Sequence, residues 1–209
     1  MALSFPYTKA FLADCLIGER VPLALQRNDE RSGSGDGRFW SAELAPPLWT
    51  ASYALYAKSA AHAREINAKV YGLDGMAKEM LWSDPNYHGP ASGSAGLGAV
   101  QILGISADRG GISLSGLPPD FVITAGDYLS INHGTKVYFG TFVEGGTAGV
   151  GGNLAVLAIR PYLPLTINVN AAVELANVRF KAIVTDYQPF ASTRWKWGDS
   201  ASISILQRP

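Results

Sequence analysis

The sequence holds one cysteine, Cys15, so no disulfide forms within the chain and a small secreted scaffold stapled by bridges is excluded. Charged residues are scarce at 16%, against about 25% in an average soluble domain. Seventeen basic and seventeen acidic side chains cancel to a formal net charge of zero. The basic excess with which a nucleic-acid binder neutralises phosphates is therefore missing overall. No apolar run is long enough to cross a bilayer as a helix. Met1–Gly18 lacks a basic region followed by an uninterrupted apolar core and reads as mature protein rather than a signal peptide. Three histidines are too few for most metal or general-base constellations. No Ser sits in G-x-S-x-G, no glycine loop ends in Gly-Lys-Ser/Thr, and no G-x-G-x-x-G opens a helix.

What is present is apolar and glycine-rich. The 209 residues are 47% hydrophobic, which suffices for a real core and argues against disorder. The length suits one domain, or one domain carrying a subdomain-sized insertion. So little surface charge fits a chain whose surface is covered by other subunits, or a neutral and modestly soluble enzyme. The 23 glycines and 12 prolines cluster between short apolar segments, the pattern of a β-rich protein.

Arg31–Gly37 (RSGSGDG) reads as a flexible connection between two strands; the segment after it, Arg38–Leu44, reads as a strand, not as the helix start a phosphate cradle needs. Trp49, Ala51, Tyr53 and Leu55 alternate with Thr50, Ser52, Ala54 and Tyr56, which marks a strand with one buried face. The period then changes. Ser59 is an N-cap, Ala63, Ile66 and Val70 share one helical face, and Gly72 sits where a left-handed C-terminal residue belongs. This is the one convincing helix.

Met80–Trp82 is a short apolar run, and Gly89–Gly96 is a long loop. Strands are expected at Ala99–Ile105, Gly111–Ser115, Phe121–Thr124, Tyr128–Asn132, Lys136–Val143 and Leu154–Arg160. The glycine run Gly145–Asn153 makes the hairpin loop before the last of these. Pro161 and Pro164 then end regular pairing. Val178, Phe180, Ala182 and Val184 alternate, as do Trp195 and Trp197, and Ile203 and Ile205 close the chain.

The chemistry-bearing residues read mostly as structural. His62 falls on the exposed flank of the helix. Asp84 and His88 lie in a Pro/Gly loop without the further ligands zinc demands. His133 belongs to an Asn-His-Gly turn, and Cys15 reads as a small buried hydrophobe. Asp29 and Glu30 read as solvated neighbours in a polar segment. Trp195 and Trp197, around Lys196, either pack their strand or form, with Tyr187, a platform on which sugars stack.

Taken in order, several segments resemble a phage family. They are Trp49–Leu55 (WTASYAL), Gly72–Gly75 (GLDG), Trp82–Pro85 (WSDP), Gly111–Leu117 (GISLSGL), Ala125–Ile131 (AGDYLSI), Leu157–Leu163 (LAIRPYL) and Val178–Ile183 (VRFKAI). Their succession is similar to the distal tail proteins, and related minor tail or baseplate proteins, of long-tailed siphophages and phage-like particles. The resemblance covers the chain from about residue 38 onward, and order and spacing carry more of it than any one motif.

The resemblance implies a mainly β (α+β) fold: a tail-tube-like β-sandwich belt with one flanking helix at about 59–71 and a small inserted β-barrel. The belt would comprise 1–98 and 163–209, the insertion 99–162, with one continuous domain as the alternative. It further implies a virion protein forming a homohexameric ring at the distal end of the tail tube. The ring would link the tube protein to the hub and support receptor-binding or tail-fibre proteins. DNA would only pass through its lumen. The inner face is expected to be neutral or acidic; a lumen lined by Arg20, Arg27 and Arg31 would contradict this. No catalytic, cofactor or metal residue is assigned, and no membrane partner. The glycine hairpins, with Gly33, Gly35 and Gly37 in one and Gly145, Gly149 and Gly151 in the other, are the segments expected to reach neighbouring subunits. The competing readings are a carbohydrate-binding β-sandwich and a hydrolase whose acidic groups converge only in space.

Overall fold

The alternation at Trp49, Ala51, Tyr53 and Leu55 becomes the inner half of a long strand, β2 (Phe39–Leu55), and all four side chains are buried. The structure, a computed structural model, describes residues 4–12, 14–33, 35–191 and 201–208, with backbone alone at 17–21. The strand expected around Trp195 and Trp197 lies outside these residues.

The chain divides into two compact units, Met1–Leu81 with Lys181–Arg208, and Trp82–Phe180. The expected insertion, 99–162, falls wholly within the second unit, which extends further on both sides. The protein is mainly β with one helix among the described residues.

In the first unit β1 (Leu16–Gly33), β2, β13 (Ala201–Gln207), β12 (Phe180–Gln188) and β3 (Met80–Trp82) form one sheet in that spatial order. The helix α1 (Ala60–Tyr71) buries Ala63, Ile66 and Val70, the three residues its period places on one face. Ser59 caps it, its hydroxyl accepting from the His62 N–H at 3.1 Å. The sandwich expected for this unit is thus realised, among the described residues, as one sheet with a helix beside it.

Two local expectations change. Gly72 is right-handed (φ −62), its N–H still bonded to the Ala68 carbonyl. The helix winds on, and the left-handed residues are Asp74 and Gly75 (φ 51 and 65). A Cβ at 72 would lie 3.0 Å from the Tyr7 hydroxyl, a tight approach that a small shift of that side chain would relieve. His62 is not on an open flank: its side chain is only 13% exposed and faces Asp14.

The second unit is built on a six-stranded sheet. The order is β11 (Val173–Glu174), β7 (Tyr128–His133), β8 (Lys136–Phe142), β10 (Leu154–Arg160), β5 (Gly111–Ser115) and β4 (Gln101–Ile105). Its two ends meet. Val173 N–H donates to the Val100 carbonyl, Ile102 N–H to Ala171, and Asn170 N–H to Ile102. The result is a nearly closed barrel, in which part of each edge is paired internally.

Ile102, Ile112, Leu114, Leu129, Ile131, Phe142 and Ile159 fill this barrel and are almost wholly buried. Each contributes about 1.5–3 kcal/mol relative to exposure. A two-stranded ribbon, β6 (Val122–Ile123) with β9 (Gly146–Thr147), adds Phe121, Ile123 and Ala148 to the same core. The segment after β10 is pinned by Arg109, whose guanidinium donates to the carbonyls of Leu163, Pro164 and Ile167.

Candidate functional site: the exposed hairpin arm

β1 and β2 pair antiparallel from Leu16↔Leu55 to Gly33↔Phe39. β13 accompanies β2 from Leu55 to Thr50, and beyond Thr50 the hairpin continues, among the described residues, with two strands alone. The change shows in burial. Trp49 and the alternate residues after it are buried, whereas Phe39–Pro46 are all exposed. Eight residues at about 3.3 Å each give an arm of about 25 Å. Pro46 and Pro47, which bring no N–H, sit where β2 becomes an edge.

The register assigns the faces of the arm. Asp29 lies opposite Glu43, and Arg31 opposite Ser41, on one side. Glu30 lies opposite Ala42, and Ser32 opposite Trp40, on the other. A register shift between Asn28 and Asp29 leaves Leu44 as an extra, bulged residue. The first face is charged but balanced: Arg27 Nε reaches Asp29 Oδ2 at 2.8 Å and its Nη2 approaches Glu43 at 4.0 Å. The Arg27 hydrogen bond holds the Asp29 carboxyl below its ordinary range, so Asp29 is an ion-paired residue and not merely a solvated one. The second face presents Trp40, 67% exposed. Phe39 and Leu44 are exposed at 80% and 68%.

A two-stranded ribbon is at best marginal in water. Three large apolar side chains held outward on one are an unusual cost for a monomer and a ready surface for a partner.

The glycines expected to reach out divide between the two units. Gly33 ends β1, and a Cβ there would meet the Phe39 ring at 3.2 Å. Gly35 and Gly37 stand in open space at the tip, Gly37 with φ +85. In the second unit Gly145 is packed, its would-be Cβ 3.0 Å from the Ile123 carbonyl. The β6–β9 pairing holds the start of that loop on the barrel, and its exposed apolar residue is Val150, 86% exposed.

The other polar residues do local work. Cys15 is buried, its thiol donates to the Leu12 carbonyl, and burial, with the Asp14 charge adding, pushes it up to about 11. A thiol so rarely ionised is a poor nucleophile. His62 Nδ1 accepts from the Lys58 N–H at 3.1 Å, which places the neutral ring's proton on Nε2, 3.3 Å from Asp14. Asp84 accepts from the Asn86 N–H, and His88 is exposed. His133 Nδ1 meets Thr166 Oγ1 at 3.1 Å. Among the described residues no three His, Cys, Asp or Glu converge to hold a metal, and no helix is long and apolar enough to cross a membrane. The glycine tip of the arm is legible in the sequence; its exposed apolar residues are signalled there only by Phe39 and Trp40 in tandem beside the glycine loop.

No family model matches the chain, and no curated protein matches it.

Proposed function

We propose that the chain is a structural subunit of a phage tail tip, forming a homohexameric ring that joins the tail tube to the hub and supports receptor-binding proteins. The observation that carries this is the arm: an exposed ribbon bearing Phe39, Trp40 and Leu44, with an outer β1 edge that no other described strand covers. A ring uses two different faces of each subunit, and a projecting arm docking on a neighbour supplies one of them. Zero net charge supports the reading, since copies do not repel one another at long range. The charged face of the arm, where Arg27 and Arg31 alternate with Asp29 and Glu43, carries no net charge and so would not hold phosphates in a lumen.

Light scattering combined with negative-stain imaging tests this. Six chains of 22.2 kDa give about 133 kDa, and closed rings of that mass are expected. Trp40→Ser, at an exposed position, should leave each subunit folded while dispersing the rings. A wild-type chain that stays monomeric, with and without tail-tube protein added, would overturn the reading.

A further inference from the structure

The first unit holds a second feature, apart from the arm. An open cleft of about 310 Å³ is walled by the last turn of α1 (Val70, Tyr71), by Gly75, and by the end of β12 (Val184–Tyr187). Tyr71 is 60% exposed, and its ring meets that of Tyr187 edge-on, with centroids 6.1 Å apart. The Tyr187 hydroxyl donates to Asn67 Oδ1, which pins the ring against α1. The β12–β13 register shifts between Val184 and Asp186. Such a bulge re-aims the side chains beside it. It brings Thr185 and Asp186 to the cleft, where both are exposed. Thr185 Oγ1 already donates to the Ser204 carbonyl, which leaves its lone pairs free to accept. Gly75 has φ +65 and no side chain to close the mouth.

We propose that this cleft binds a saccharide ring, with Tyr71 stacking on its C–H face and Asp186 accepting from its hydroxyls. The parts match that ligand class. A pyranose offers an apolar face to an exposed aromatic ring and neighbouring hydroxyls to a carboxylate, whose charge-assisted hydrogen bonds are the stronger kind. The cleft volume suits one ring lying partly in solvent. Val70 and Val184, both buried, give it an apolar floor. A small organic cation gains most when aromatic faces enclose it; here the two rings meet edge-on and the cleft is open, so a sugar is favoured. Tyr187, expected from sequence to stack sugars with Trp195 and Trp197, stands beside Tyr71 and Asn67, while the two tryptophans lie outside the described residues. The site is independent of the ring reading, and its test gives an answer whether or not the chain assembles.

The experiment is saturation-transfer NMR on the full chain with glucose, galactose, rhamnose and N-acetylglucosamine, each up to 100 mM. At least one sugar is expected to receive transfer at its ring C–H protons. Tyr71→Ala should weaken that binding by about tenfold or more, Tyr71→Phe should retain it, and Asp186→Asn should weaken it by about tenfold. Because Tyr71 and Asp186 are exposed, the variants should keep the wild-type melting temperature, which is checked first. Absence of transfer with all four sugars overturns the proposal. So does transfer that survives Tyr71→Ala, or binding of tetramethylammonium that Asp186→Asn abolishes while no sugar binds.

Discussion

The side-chain oxygen of Gln207 accepts a hydrogen bond from the backbone N–H of Trp49 at 3.2 Å. The β2–β13 ladder ends one residue earlier, at Thr50↔Leu206, so Gln207 takes the first donor that the ladder leaves behind. Both residues are buried, and the next two positions outward, Leu48 and Pro47, lead into the arm. Gln207 therefore marks the root at which a packed sheet becomes a free ribbon.

Replacing Gln207 by Leu keeps the bulk and removes the acceptor. A buried N–H left without a partner costs about 1–3 kcal/mol. For a chain of this size that is a melting temperature lower by about 2–4 °C for each kcal/mol. Thermal unfolding of the variant checks it; an unchanged midpoint would show that water satisfies Trp49 just as well.

Much of the first unit was legible in the sequence because its elements follow simple periods. Trp49, Ala51, Tyr53 and Leu55 alternate and are buried, and Ala63, Ile66 and Val70 repeat at helical spacing and are buried. The barrel strands fell close to their expected bounds because glycines and prolines punctuate them. What stayed hidden depends on long-range placement. The arm is an arm because β13 stops at Thr50, a fact of pairing that Phe39 and Trp40 do not carry locally. Tyr71 and Tyr187 meet only because α1 lies beside β12. Gly72 does not take the left-handed conformation because the turn continues past it, and positive φ falls instead at Asp74 and Gly75.

Arg109 was equally invisible in sequence, though it acts as a clip in the second unit. It bonds three carbonyls with one planar guanidinium while itself at φ 59. Lys cannot reproduce a fork that reaches several acceptors at once. Arg109→Lys should therefore destabilise nearly as much as Arg109→Ala, by about 3 kcal/mol, since bonds from a charged donor contribute about 1.5–3 kcal/mol. Hydrogen exchange should quicken at Leu163 and Ile167, whose N–H groups bond to Arg109 and Pro164 carbonyls. A lysine variant as stable as the wild type would show that charge alone suffices.

The loop before β10 offers a paired test of space against strain. Gly152 has φ +71, and a Cβ there would sit 2.3 Å from the Leu117 carbonyl oxygen. That atom is backbone and also lies beside the Leu117 N–H→Gly152 carbonyl bond, so it does not yield easily. Gly151 has no atom within 4 Å of such a Cβ. Gly152→Ala should cost more than 2 kcal/mol, combining the left-handed penalty with the clash. Gly151→Ala should change stability by less than about 0.5 kcal/mol. Chemical denaturation of both variants decides it, and equal costs would mean that the loop relaxes.

Cys15 predicts the alkaline side of the stability curve. Burial raises its thiol from an ordinary 9.0 to about 11 in the folded chain. In the unfolded chain the thiol ionises near its ordinary value. Below about pH 9 both states hold the proton, and the group's contribution to stability is fully present. Between about pH 9 and 11 the unfolded state releases a proton that the folded state keeps, so stability falls as pH rises. Above that window both states have lost the proton and the contribution is gone. Cys15→Ala removes this slope, and the wild type and variant should diverge progressively through the window when unfolding midpoints are compared. The same protonated, covered thiol should react with iodoacetamide at pH 8 far more slowly in the native chain than in denaturant. Prompt native alkylation, or parallel curves for the two proteins, would show that the thiol is open to solvent.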